Sequence, residues 1–201
     1  MERKIGIMGG TFDPIHLGHL ILAEETRIQL NLDKVVFIPT GEPPHKKNKS
    51  VLEPIHRYEM TLLATTDNPN FQVSALEIKK EGVSYTIDTM KYLKSLYSDS
   101  IFYFITGADS LVNITSWRNA DELLTLCKFV TTKRRGIPNS ELDNAVRRIN
   151  EKYGETVYLL SIPYIEISST DIRNRVKNGE SIRYYVPDSV ETYIRKNNFY
   201  R

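Results

Sequence analysis

Short runs of apolar and β-branched residues alternate along the chain with longer stretches in which apolar positions recur every three or four residues. The short runs predict strands at residues 4–8, 34–39, 71–74, 101–106, 127–132 and 157–161. The longer stretches predict helices at 18–30, 54–66, 86–97, 121–126, 141–153, 170–177 and 188–196. Val35, Val36, Phe37 and Ile38 form a continuous apolar run, which suits a strand covered on both faces rather than one with a wet side. Strand–helix alternation of this kind implies parallel βαβ units. The expected class is therefore α/β: a Rossmann-like doubly wound parallel sheet with a small C-terminal helical portion. No repeat, low-complexity tract or long linker divides the chain. Residues 1–201 are expected to form a single domain, with 168–201 as a helical subregion. Residues 41–52, with two prolines, a histidine and three lysines, read as a loop after a strand, where folds of this class bind ligands.

Composition narrows the class of partner. The 201 residues are 40% hydrophobic and 26% charged, which excludes a disordered or collagen-like chain. Lys and Arg number 27 against 25 Asp and Glu, a net charge of +2. So even a balance argues against coating nucleic acid or an anionic membrane, while leaving room for a small anion that needs only local charge. The single cysteine, Cys127, opens an apolar run and reads as a buried, inert thiol. No apolar run approaches the roughly 18 residues of a membrane span, and the first residues carry no leader-like pattern. A cytoplasmic, reducing location is the expectation.

The candidate chemistry begins at Gly9-Gly10-Thr11-Phe12-Asp13-Pro14-Ile15-His16-Leu17-Gly18-His19, between the first predicted strand and helix. It is neither a dinucleotide fingerprint nor a P-loop. Strand, glycine turn and helix N-terminus is nevertheless the layout of a phosphate site, since glycines admit close approach and first-turn N–H groups attract anions. His16 and His19, three apart, would share one helix face, with Gly18 leaving room between them. Two other readings compete: a metal pair, which lacks neighbouring ligands, and structural histidines bonded in a turn. A second segment, Ile167-Ser168-Ser169-Thr170-Asp171-Ile172-Arg173, reads either as a helix N-cap cluster or as a second helix N-terminus facing a polyphosphate.

The first segment resembles the GGxFDPxHxGH signature of the HxGH nucleotidyltransferase superfamily, and the second is similar to its ISSTxIR motif. The resemblance implies adenylyl transfer: a substrate phosphate attacks the α-phosphorus of ATP and pyrophosphate leaves, without a covalent intermediate. It implies His16, His19 and Arg173 as the catalytic groups. It also implies ATP contacts from Gly9, Gly10, Thr11, Phe12, His16, Gly18, His19, Ile167, Ser168, Ser169, Thr170 and Arg173. Mg²⁺ is expected through the ATP phosphates, with no protein-built metal site.

The acceptor has to be read from the middle of the chain. Ser84, Tyr85 and Thr86 precede an amphipathic helix whose N-terminus could hold a carboxylate, or could be an ordinary capped end. Gly107 and Asp109 follow a predicted strand; Trp117, the only tryptophan, would ordinarily be a core residue, but its polar setting weakens that reading and an exposed indole there could stack on a flat cationic ring. Ser84–Thr89 (SYTIDT), Gly107–Leu111 with Trp117, Pro39–Lys46 (PTGEPPHK) and Val186-Pro187-Asp188-Ser189-Val190 resemble the nicotinate-nucleotide adenylyltransferase family over essentially the whole chain. The resemblance implies nicotinate mononucleotide as acceptor beside ATP. Ser84, Tyr85 and Thr86 would hold the carboxylate, Trp117 would stack on the pyridinium, and Gly107 and Asp109 would lie at the ribose. His45 and Lys46 would serve the phosphates, although with Lys47 and Lys49 they also fit a solvated basic loop. Phosphopantetheine adenylyltransferases share the ATP motifs but not the middle segments, and a redox Rossmann domain would need G-x-G-x-x-G. A regulatory nucleotide-binding module remains a third reading. No nucleic acid or membrane partner is expected, and homo-oligomerisation is left open. Residues 133–154 read as scaffold.

Overall fold

A computed structural model describes residues 2–42, 51–133, 139–162 and 165–201. Six strands form one parallel sheet in the order β3-β2-β1-β4-β5-β6. They are β1 (Arg3–Gly10), β2 (Lys34–Pro39), β3 (Phe71–Val73), β4 (Ser100–Ile105), β5 (Lys128–Thr132) and β6 (Val157–Leu160). The helices are α1 (Leu17–Gln29), α2 (Pro54–Thr65), α3 (Thr86–Leu96), α4 (Ala108–Val112), α5 (Ala120–Leu126), α6 (Asn139–Tyr153), α7 (Ser169–Lys177) and α8 (Asp188–Lys196).

Alternation along the strands builds two cores. Ile5, Ile7, Phe102, Phe104 and Phe129 face one side, where α3, α5 and α6 supply Ile87, Met90, Leu123, Leu142 and Ile149. Met8, Val35, Phe37, Tyr103, Ile105 and Val130 face the other, covered by Ala23 of α1, Met60 of α2, Ile172 of α7, and Val190 and Ile194 of α8. Because both faces are buried, the strands read as unbroken apolar runs. The helical segment after β6 thus completes the second core rather than standing apart from it.

Every predicted strand and helix is present, with ends shifted by a residue or two. Two elements were not expected: the five-residue α4 and a 3₁₀ turn at Ile114–Ser116. Neither is long enough to show a helical period. Cys127 is buried, and desolvation pushes its thiol up to about 12, as an inert core cysteine requires. Among the described residues no helix is long and apolar enough to cross a membrane.

The chain runs from β1 outward to β3, then returns to β4 on the other side of β1. That reversal opens a crevice at the carboxyl ends of β1 and β4, the place where open parallel sheets bind ligands.

Candidate active site

The loop leaving β1 is shaped by space rather than by glycine dihedrals. A Cβ on Gly10 would meet the Phe12 ring at 2.8 Å, and Phe12 itself carries the left-handed φ of 49°. Phe12 is buried and packs edge-on against His19 (centroids 5.1 Å apart, planes at 87°). The loop is held from below by Arg57 of α2, a side chain 1% exposed. Its guanidinium donates to three backbone carbonyls: Thr11 at 2.7 Å, Gly41 at 2.9 Å and Leu52 at 2.9 Å. Burial lowers its pKa, and the charge of Asp13 works against that shift.

His16 is the N-cap of α1 rather than a residue within it, so the two histidines do not share a helical face in the expected way. They stack instead, with ring centroids 3.7 Å apart and planes at 28°. The His16 backbone N–H donates to His19 Nδ1 at 3.2 Å. A neutral His19 therefore carries its proton on Nε2, which makes that nitrogen a donor. Stacked rings do not converge on one point, which removes the appeal of a metal pair. Gly18 serves this stack, since a Cβ there would meet the His16 ring at 3.0 Å. Not every first-turn amide of α1 is available: Leu17 N–H donates to Tyr185 O at 2.9 Å and His19 N–H to His16 O at 2.9 Å.

The second segment comes to the same place. Ser169 Oγ donates to Pro14 O at 2.9 Å across 155 positions, and Arg173 Nη1 donates to Asp13 O at 2.7 Å across 160. Ser168 caps α7 by accepting from Asp171 N–H at 3.1 Å, which is the N-cap expected of this segment. Arg173 Nη2 also donates to the Thr170 hydroxyl at 3.2 Å. Two helix N-termini, His19 and Arg173 are thus gathered around one loop.

Beside the loop lies a cavity of about 490 Å³ between the ends of β1, β2 and β4 and the start of α3. Gly9, Gly10 and Thr11 form the wall next to that loop, and Ser84, Tyr85, Thr86, Ile87 and Thr89 bring in the first turn of α3. In that turn Asp88 N–H donates to Tyr85 O at 3.0 Å and Thr89 N–H to the same oxygen at 3.3 Å, so Thr86 and Ile87 carry the amides that no helical carbonyl reaches. Trp117 and Arg118 stand opposite. Trp117 is half-buried and edge-on to Phe104 (6.0 Å, 89°), so it packs on the core and faces the cavity at once. Gly107 and Asp109 are exposed at the start of α4 and are not part of the wall. His16, Gly18, His19 and the α7 segment likewise lie outside it. His45 and Lys46 fall outside the described residues.

Three cavity residues escaped the sequence reading. Arg118 lies over the Tyr85 ring, 4.6 Å from its centroid, which places a cation at the mouth of the helix end. Glu77 is buried and accepts from the Thr89 hydroxyl at 2.6 Å. Burial pushes its carboxyl up, with the Thr89 and Ser84 hydroxyls and the Gly41 backbone pulling the other way. Gly41 is required there, because a Cβ would meet the Glu77 carbonyl oxygen at 2.3 Å. Thr106, at the end of β4, completes the polar floor.

The parallel sheet with a loop and two helix N-termini at its switch point is an α/β fold of the ligand-binding kind, and residues 7–175 match the cytidylyltransferase-like family. The chain is 50% identical over 201 residues to a relative from Thermoanaerobacter sp., covering 100% of this chain and 95% of the relative. It is 46% identical over 199 residues to another from Moorella thermoacetica, covering 98% and 92%. Each carries the name "Probable nicotinate-nucleotide adenylyltransferase". The chain belongs to the cytidylyltransferase-like family and, within that description, to the nicotinate-nucleotide adenylyltransferases. The fold is shared with Plasmodium falciparum nicotinic acid mononucleotide adenylyltransferase complexed with NaAD. That structure has a TM-score of 0.81 at 24% identity, covering 98% of this chain and 97% of the other.

Proposed function

We propose that the protein transfers the adenylyl group of ATP to nicotinate mononucleotide, forming nicotinate adenine dinucleotide and pyrophosphate. The observation that carries this reading is the continuity of the crevice. The loop that ends in the His16–His19 stack also forms, through Gly9 to Thr11, one wall of a cavity with a helix N-terminus and an indole on its other sides.

An oxygen of the acceptor's phosphate attacks the α-phosphorus, and the bond from that phosphorus to the β-phosphate bridging oxygen breaks as pyrophosphate departs. Negative charge builds on the departing group. His19 Nε2–H, Arg173 and the first turn of α7 are the donors suited to it, with His16 setting the His19 ring. Thr11, Phe12, Ile167 and Thr170 are assigned to ATP on the family resemblance alone. In the cavity, the first-turn amides of α3, with Ser84, Tyr85 and Thr86, are suited to the nicotinate carboxylate, and Trp117 to its pyridinium. His45, Lys46, Gly107 and Asp109 are assigned to the acceptor on the family resemblance alone.

Mg²⁺ fits this donor set as a companion of ATP. Among the described residues no group of three or more His, Cys, Asp or Glu stands together to hold an ion, and the phosphate end presents N–H and hydroxyl groups. Bound through the triphosphate, the ion would neutralise phosphate charge. On this reading residues 1–201 act as one nucleotidyltransferase unit in the cytoplasm, with 168–201 closing the phosphate end.

Acceptor-dependent pyrophosphate release tests the reading. Efficiency with nicotinate mononucleotide should exceed that with nicotinamide mononucleotide by at least about tenfold, because the amide NH₂ would face N–H donors. Equal or better use of the amide would overturn the acceptor assignment.

A further inference from the structure

Asp13 lies in the middle of the phosphate loop and is 2% exposed. Its Oδ1 accepts from the Tyr200 hydroxyl at 2.7 Å, while its Oδ2 stands 4.0 Å from Arg173 Nη1. Arg57 is the other charge that reaches it. Tyr200 is brought there by the way α8 ends. Asn198, with φ 56°, donates from its N–H to Arg195 O, and Phe199 N–H donates to Ile194 O, both at 3.2 Å. This paired closure reverses the chain. Phe199 then packs on His56 of α2 at 4.8 Å, and Tyr200 is held at φ 64°, a region that bulky side chains seldom occupy. Burial, reinforced by the neighbouring Asp13 charge, pushes the Tyr200 hydroxyl far up, so it remains a donor at any working pH.

We propose that Tyr200 is a positioning residue for the phosphate site: by holding the Asp13 carboxylate, it keeps Arg173 from collapsing onto Asp13 and leaves that guanidinium for the triphosphate. The inference rests on the reading above that Arg173 meets ATP. A carboxylate and a guanidinium at 4.0 Å are short of the close, charge-assisted pair they would otherwise form. Arg173 is anchored by the Asp13 backbone oxygen, not by its carboxylate, so part of the fork stays unspoken for. A neutral hydroxyl on Oδ1 satisfies the acid without a second positive charge.

Tyr200→Phe keeps the ring and removes one oxygen. ATP and AMP are titrated calorimetrically without acceptor, and melting temperatures are recorded for each variant. The expected result is an ATP Kd weakened about tenfold with AMP affinity unchanged, since only the triphosphate reaches Arg173. Adding Asp13→Asn to Tyr200→Phe should restore most of the ATP affinity, because a neutral amide cannot draw the guanidinium away. An unchanged ATP Kd in Tyr200→Phe, equal weakening for AMP, or no recovery in the double variant would each overturn the proposal. Wild-type protein that binds ATP yet releases no pyrophosphate with nicotinate mononucleotide would refute the function, while the ATP titrations would still decide the role of Tyr200.

Discussion

At the phosphate end of the crevice, backbone from segments 155 or more positions apart is tied together by hydroxyl and guanidinium groups. The acceptor cavity is made differently, from the start of one helix, an indole, a stacked arginine and apolar floor residues such as Ile7 and Ile38. Phosphates are small, charged and always alike, so fixed N–H donors suit them, and side-chain changes alter backbone donors little. A pyridine ring and its substituent are distinguished by shape and by single polar groups, which individual substitutions can change. On the proposed function the two halves would carry different burdens: one the shared chemistry, the other the choice of acceptor.

That division can be broken by experiment. The largest effect is expected at the phosphate end, where His19→Ala should lose ~3 kcal/mol of transition-state stabilisation, about a hundredfold in turnover, with little change in melting temperature. Near-normal turnover would end the assignment of the stacked pair. A smaller effect is expected in the cavity. Trp117→Ala should raise the KM for nicotinate mononucleotide about tenfold, from ~1–2 kcal/mol of lost stacking, and leave the KM for ATP unmoved. If both constants rose together, the halves would not be independent. The smallest effect concerns pH. Burial holds the Glu77 carboxyl above its ordinary 4.5, so between that value and the raised one the folded protein binds a proton that the unfolded chain releases. This group's contribution is fully present below 4.5 and is lost as pH climbs through the window. Glu77→Gln should remove that decline, so melting curves of variant and wild type should diverge in the variant's favour from pH 4.5 to 8. A constant offset at every pH would show that Glu77 does not titrate there.

What the chain discloses before folding follows from the range of the interactions involved. Val35 to Ile38 announce a strand buried on both faces because parallel strands carry no wet side, and the same logic places the strands and long helices. A five-residue α4 has no period to read. His16, His19 and the Ser168–Arg173 run are visible because each is a local pattern of residues around a helix start. Their relation to each other is not visible: a face-to-face stack needs His16 outside the helix, and a spacing of three says only that the residues are near. Gly10 and Gly18 read as openings for a ligand, yet each makes space for a neighbouring ring of the protein itself. Arg57 and Glu77 leave no trace in sequence, since each acquires its role from partners brought together only by the sheet.

Arg57 has one more consequence. A single buried guanidinium gathers the carbonyls that follow β1 and β2 and precede α2. A lysine could not replace it, being one point charge where a fork of donors is needed. The loop leaving β1 is therefore tied down when the chain folds, and on the proposed function less conformational entropy would be lost when a nucleotide arrives. On the proposed function, heating should then abolish nucleotide binding together with the fold rather than ahead of it, which titrations of ATP along the melting curve would check.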